Sequence, residues 1–275
     1  MNKKVATIIL NRNLPIITDK LYNDILKNNK QYTDVYVVEA GSDSNLLSKN
    51  VTWYADWKEA KKEGLRYPRG MNFALSNLWR EGKFKKYEAF LLLTNDTEFK
   101  TKKFIKTFLD IFDNNPKMAI LSPCSKTWGE RKLISKNSIK YFWYIHNTAY
   151  FLRRSFLEQI INLRSPGYMN FLFDGNNFRG YGTESELIGK AYSNHWSAGI
   201  TNKVWAEENE NYLRKYSQKI KTEDYELNKK LVLEEGLEWM REKYGFSSKW
   251  SMQMYVKTFY DRFFMYNPEY AKYRI

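Results

Sequence analysis

The segment from Tyr87 to Lys100, YEAFLLLTNDTEFK, constrains the fold more than any other. Its five consecutive apolar residues, Ala89 to Leu93, leave no polar face, so the run suits a strand buried on both sides. It stops abruptly at the polar cluster Thr94-Asn95-Asp96-Thr97. Comparable short runs are VATIIL (Val5 to Leu10), DVYVVEA (Asp34 to Ala40) and MAILSP (Met118 to Pro123). Between the first two lies ITDKLYNDILKNN, with Ile17, Leu21 and Ile25 at helical spacing and Thr18 as a candidate cap. Between AFLLL and MAILSP lies the equally helix-like TKKFIKTFLDIFDNN. Strands alternating with single helices predict an α/β fold with a mostly parallel, helix-flanked central sheet. In such sheets ligands bind beyond the carboxyl ends of the strands, so the polar residues directly after each run are the site candidates.

A chain of 275 residues with 43% hydrophobic content can bury a sizeable core. The single cysteine, Cys124, permits no internal disulfide, and no Cys/His set has zinc spacing. A reducing, cytoplasmic setting is therefore expected. The opening MNKKVATIILNRN has an apolar run too short for a signal peptide, and no later run has the length of a membrane span. Peripheral contact with the inner face of a membrane stays open. The net charge of +14, with the basic excess concentrated before residue 200, and the 17% aromatic content favour anionic partners: nucleotides, nucleic acid or acidic lipid headgroups. From Val204 the sequence turns to long charged helical stretches and then to an aromatic tail. This predicts a core over 1–203 and a helical, aromatic-rich C-terminal extension over 204–275.

Several polar groupings follow the strands. Glu39-Ala40-Gly41-Ser42-Asp43 and Thr94-Asn95-Asp96-Thr97 would meet at one edge of a parallel sheet, where one carboxylate can receive a base or ribose and another a hard cation. Taken singly, each is ordinary turn chemistry. Arg66-Tyr67-Pro68-Arg69-Gly70-Met71-Asn72 places two arginines and a glycine ahead of the helix MNFALSNLW, an arrangement suited to a diphosphate, with a solvated loop as the alternative. Thr183-x-x-Glu186 and Ser155-x-x-Glu158 have the form of capping boxes; the first leaves Glu184 as a candidate general base. His146 and His195 stand among aromatics without paired ligands and read as buried or interface residues. Residues 126–154 interleave Lys126, Arg131, Lys132, Lys136, Lys140, Arg153 and Arg154 with Trp128 and Tyr141 to Tyr144, a pattern open to nucleic acid, sugar or phosphorylated lipid.

Taken in order over about residues 5–205, these segments resemble the family 2 glycosyltransferases of GT-A fold. ATIILNRN is similar to their first strand, VYVVEAGSDS to the nucleobase-holding strand and turn, and RGMNFAL to the R-G-x-N segment. FLLLTNDTEF resembles the strand and D-x-D element, HNTAYFLRRSFLEQI the acceptor-side segment, and FDGNNFRGYGTESELIGKA the element carrying the catalytic base. The resemblance implies that Glu39 reads the base with Asp43 near it. It further implies that Asn11, Arg66, Arg69, Asn72 and Asn95 belong to the site of a nucleoside-diphosphate sugar, and that Asp96 binds Mg²⁺ or Mn²⁺. Glu184 or Glu186 would deprotonate the acceptor hydroxyl, with inversion at the anomeric carbon. Thr94 stands where the first acid of D-x-D is expected, and Glu207 and Glu208 follow KVW where many relatives have a histidine. The implied activity is glycosyl transfer to a surface glycan or lipid-linked saccharide, with the aromatic tail against a membrane. The basic-aromatic segment keeps open two alternatives: transfer to hydroxylated bases of DNA, and an inactive nucleic-acid-binding relative.

Overall fold

The computed structural model describes residues 4–136, 138–145, 149–220 and 223–275. The strands are β1 (Val5–Asn11), β2 (Thr33–Glu39), β3 (Val51–Tyr54), β4 (Ala89–Thr94), β5 (Thr97–Phe99), β6 (Met118–Cys124), β7 (Ile139–Tyr141), β8 (Ala149–Arg153) and β9 (Ser197–Glu208). The main helices are α1 (Pro15–Asn29), α2 (Lys58–Glu63), α3 (Arg66–Arg80), α4 (Phe104–Asn114), α5 (Arg154–Ile160), α6 (Thr183–Ser193), α7 (Glu210–Lys215), α8 (Tyr225–Tyr244) and α9 (Lys249–Tyr266).

The sheet runs β3-β2-β1-β4-β8-β6-β9-β5, with β7 also paired to β9. β1 lies parallel to both β2 and β4, and β6 parallel to β9. β8 is inserted antiparallel between β4 and β6, so β3, β2, β1, β4, β6 and β9 share one direction. The expected α/β sheet is therefore present and mostly parallel, with one reversed strand inside it. β8 coincides with AYFLR, five residues whose length gives no signal of direction. Along β1 and β4 nearly every residue is buried, as two-sided helix cover requires.

Several local expectations are corrected. Thr18 does not cap α1, which starts at Pro15, a residue whose missing N–H costs nothing at a first helical position; its hydroxyl bonds back to the Leu14 carbonyl. Arg66 to Asn72 is not a loop, because α3 begins at Arg66 and carries all of it. Neither capping box forms. Thr183 donates to the Gly180 carbonyl and Glu186 turns towards α8, while Glu158 pairs with Arg154 within α5. β9 continues to Glu208, so a boundary after 203 falls inside a strand of the sheet.

The C-terminal helices share the core. Val256, Tyr260, Phe263 and Phe264 of α9 join the main hydrophobic cluster, where Tyr260 meets Tyr192 of α6 and Phe263 meets Tyr141 of β7. Within the basic-aromatic stretch 126–154, most residues of 126–136 are exposed, while those of 139–145 turn inward. Tyr141 and Phe142 are fully buried, and the Arg153 guanidinium is spent on the carbonyls of Phe112, Asn115 and Met118. A stacking platform for bases is thereby lost from its centre. His195 is exposed at a helix end with φ +62° and its ring against Tyr266, contrary to a buried reading, and His146 lies outside the described residues.

Candidate functional site

The parallel register sets the floor of the site. Asn11 is opposite Glu39 and Leu10 opposite Thr94, so the ends of β2, β1 and β4 stop level with one another. After β2, Gly41 turns the chain at φ +82°, where a Cβ would lie 1.8 Å from the Ala60 carbonyl oxygen. After β4, Asn95 and Asp96 form the corner between β4 and β5, which leaves to pair with the far end of β9 through Thr97 and Glu208. The apolar run of β4 ends where it does because the chain changes strand partner there.

Three of the expected residues, Asn11, Glu39 and Asn95, meet in this floor, and their side chains are already committed. The Glu39 carboxylate is fully buried; it accepts from Asn11 Nδ2 at 2.9 and 3.0 Å, from Ser42 Oγ at 2.5 Å and from the Ser48 N–H at 2.7 Å. With both oxygens accepting twice, no capacity is left for a base, so the geometry makes Glu39 a positioning residue rather than a base reader. Asn11 in turn accepts from Asn95 Nδ2 at 2.8 Å, and Asn95 also reaches Thr18. This network stitches three strand ends and α1 together beneath the site. Asp43 sits higher and is half-buried, its N–H donating to Asn13 Oδ1 at 2.7 Å.

Above the floor is a cavity of ≈ 170 Å³ lined by Leu10, Asn11, Arg12, Leu14, Ala40, Arg66, Thr94, Asn95, Asp96, Leu213 and Ile220. Arg66 also lines an adjoining cavity of ≈ 390 Å³ with Phe178, Arg179, Glu223 and Glu235. Together they reach the ~300–1,000 Å³ range of small-molecule sites. Leu213 and Ile220 come from the segment after β9, which is held down by Asn13 Nδ2 donating to the Lys219 carbonyl at 2.6 Å.

Asp96 is 5% exposed. Burial pushes its carboxyl above the usual range; the Thr94 hydroxyl and its own backbone N–H pull back, while Glu210 and Glu98 add to the rise. Among the described residues, no group of three or more His, Cys, Asp and Glu is placed to hold a metal. One carboxylate with a substrate's phosphate oxygens and water is nevertheless a set that Mg²⁺ or Mn²⁺ accepts.

Arginines dominate the other wall. Arg66 bonds Glu223 at 3.0 Å, Arg179 bonds the same carboxylate at 2.5 Å and pairs with Glu235, and Arg66, Arg69 and Arg179 surround the Phe178 ring with guanidinium carbons 4.5–5.6 Å from its centre. Burial, then Arg179, lowers the Arg66 pKa. Arg69 donates to the Gly175 carbonyl at 2.8 Å, and Asn72, fully buried, binds Tyr168, Leu172 and Phe173 backbone groups through both ends of its amide. Asn72 is therefore spent on anchoring the 168–175 loop and does not approach a ligand.

The two candidate bases differ in setting. Glu186, with a side chain 5% exposed, accepts from Tyr244 at 2.8 Å and Lys243 at 3.1 Å and lies 3.2 Å from Lys190, pinning α6 to the end of α8. Glu184 opens the same helix, is half-buried, and pairs with Lys249. Sequence reasoning missed Arg12, Asn13, Arg179 and the lysines from α8 and α9; the one signal for Arg12 was its place directly after Asn11.

This arrangement defines a class of fold, a GT-A sheet with its corner at the end of β4 and C-terminal helices closing over it. The solved structures similar in fold to the chain include the following three. A mannosyltransferase from Pyrobaculum calidifontis, solved with GDP-Man and Mn²⁺, is 11% identical with a TM-score of 0.52, over 94% of this chain and 74% of its own. GalNAc-T7, solved with UDP, GalNAc and Mn²⁺, is 9% identical with a TM-score of 0.51, over 93% and 55%. TarS from S. aureus is 13% identical with a TM-score of 0.49, over 88% and 72%. No protein-family model and no curated protein sequence matches the chain.

Proposed function

We propose that the protein transfers a sugar from a nucleoside-diphosphate sugar to a hydroxyl acceptor, with inversion. The observation that carries this reading is the meeting of Asp96, Arg66 and the strand-end amides on one cavity at the carboxyl edge of a GT-A sheet. The solved neighbours with GDP-Man or UDP and Mn²⁺ support it.

In this mechanism Glu184 takes the proton of the acceptor hydroxyl, the oxygen attacks the anomeric carbon from the face opposite the diphosphate, and the nucleoside diphosphate leaves. Arg66 faces the leaving group, where charge builds up as the bond breaks. Asp96, with the donor's own phosphate oxygens, would hold Mg²⁺ or Mn²⁺, which would supply further neutralisation of the diphosphate. Glu184 rather than Glu186 takes the base role because Glu184 has the single partner Lys249 among the described residues, whereas Glu186 is held by Lys190, Lys243 and Tyr244 and is more nearly closed to solvent.

The acceptor is a surface glycan or lipid-linked saccharide. Trp250, Met265 and Tyr266 of α9 stand outward, which suits a peripheral membrane contact near such an acceptor. Among the described residues no helix is long and apolar enough to cross a membrane. DNA is the weaker acceptor, since Tyr141 and Phe142, two of the aromatics that suggested it, are turned into the core.

The test is a thermal-shift and hydrolysis screen of the protein against UDP-, GDP- and dTDP-sugars, with and without Mn²⁺. One donor class should raise the melting temperature and be hydrolysed slowly. Indifference to all of them would remove the reading.

A further inference from the structure

Arg12 belongs to no role described so far, yet it is the most confined cation of the cavity. It follows β1 directly and is 8% exposed. Its Nη2 donates to the Lys61 and Lys62 carbonyls at 3.1 and 3.2 Å, at the carboxyl end of α2, where a helix presents negative partial charge. Gly64 lies flat against the guanidinium: a Cβ there would come within 2.1 Å of Nη1. The fork is thus fixed from behind by two carbonyls and from the side by bare backbone.

What this anchoring leaves over is the telling part. Among the described residues, Nε and Nη1 of Arg12 are buried without a hydrogen-bond partner, as is Nε of Arg66, which lines the same cavity. Buried donors are normally satisfied, and an unmet one is costly. Asp43, Glu223 and Glu63 lie near enough to offset the charge of Arg12, but none bonds it. Three unmet guanidinium donors on two arginines, at the strand ends of a parallel sheet, fit an anion with several oxygens at tetrahedral spacing.

We propose that Arg12 binds a phosphate of the nucleoside diphosphate directly, through Nε and Nη1, and that together with Arg66 it holds that group whether or not a divalent cation is present. The proposal rests on the donor reading above. It also bears on the single acid at the corner after β4: with one carboxylate there to hold a cation, part of the neutralisation of the diphosphate falls to a buried guanidinium.

The experiment is calorimetric titration of wild-type, Arg12→Met and Arg12→Lys proteins with UDP, GDP and dTDP and with uridine, guanosine and thymidine, in EDTA and again in Mn²⁺. The wild type is expected to bind one nucleoside diphosphate more tightly than its nucleoside even in EDTA. Loss of a charge-assisted bidentate contact should weaken that diphosphate roughly 10- to 100-fold in Arg12→Met, in EDTA and Mn²⁺ alike, while the nucleoside is held as before. Arg12→Lys, which keeps a cation at the position but has no fork, is the variant to use should Arg12→Met lose the fold, and should lose about tenfold. Diphosphate binding within twofold of wild type in either folded variant overturns the assignment and leaves Arg12 a tether for α2. If the wild type binds no nucleoside diphosphate at all, the donor reading falls and this proposal with it.

Discussion

Replacing Gly64 by alanine tests the packing around Arg12 without altering the arginine itself. Gly64 ends α2 with φ 75° and ψ 173°, a region essentially reserved for glycine, and holding alanine there costs about 1–3 kcal/mol. The added methyl would also sit 2.1 Å from Arg12 Nη1 and 2.9 Å from Cζ, so the guanidinium must leave its two carbonyls; overpacking of this kind costs about 1–3 kcal/mol more. The smaller entropy of the unfolded alanine chain returns about 0.4–1 kcal/mol. A net loss of about 2–4 kcal/mol follows, and with it a melting temperature lower by roughly 5–15 °C. Urea unfolding followed by fluorescence of the nine tryptophans would measure it. Repeating Gly64→Ala in an Arg12→Ala background separates the two costs, because without the guanidinium only the backbone strain remains; a coupling of at least about 1 kcal/mol is expected. A loss below about 0.5 kcal/mol, or an equal loss with and without Arg12, would refute the contact.

Three further outcomes follow from the geometry. Glu184→Gln should leave donor binding intact and slow transfer ~100- to 10,000-fold, whereas Glu186→Gln should cost about 1–3 kcal/mol of stability through Lys243 and Tyr244 and slow transfer far less; the opposite pattern in kinetics and urea midpoints would exchange the two roles. Burial pushes the Cys124 thiol up to about 11, so at pH 8 the native protein should resist a thiol reagent that labels it fully once unfolded in urea, and its protection should persist until the pH nears that value. Phe263→Ala in α9 should lose about 3–5 kcal/mol in chemical denaturation, as expected of a ring buried between Tyr141 and Tyr192 in the shared core; a near-neutral result would make the C-terminal helices dispensable.

The sheet was legible because two-sided burial writes itself as apolar runs, and the helices between them kept their spacing. β8 was not, since a five-residue strand carries no signal of direction, and its reversal depends on partners far along the chain. The site was legible as a place and less so as a set of roles. Strand-end position located Asn11, Glu39, Asn95 and Asp96 correctly around one edge, but whether a carboxylate is free or spent depends on neighbours: Ser42 and Ser48 fill Glu39, and the 168–175 loop fills Asn72. Capping patterns misled for the same reason, since Lys243 and Tyr244, nearly 60 residues away, outcompete the local backbone for Glu186. Arg12 escaped notice because its confinement comes from Gly64 and α2, which no local pattern connects to it.

The most direct measurement of the central claim is hydrogen–deuterium exchange of the protein with and without the nucleoside diphosphate that stabilises it most. If the cavity at the ends of β1, β2 and β4 is the donor site, exchange should slow at residues 10–14, 40–43 and 94–97 and in the covering segment around Leu213. Protection concentrated in the separate cavity between α1 and β5, where Lys20 and Lys100 flank Glu98, or absent throughout, would contradict it.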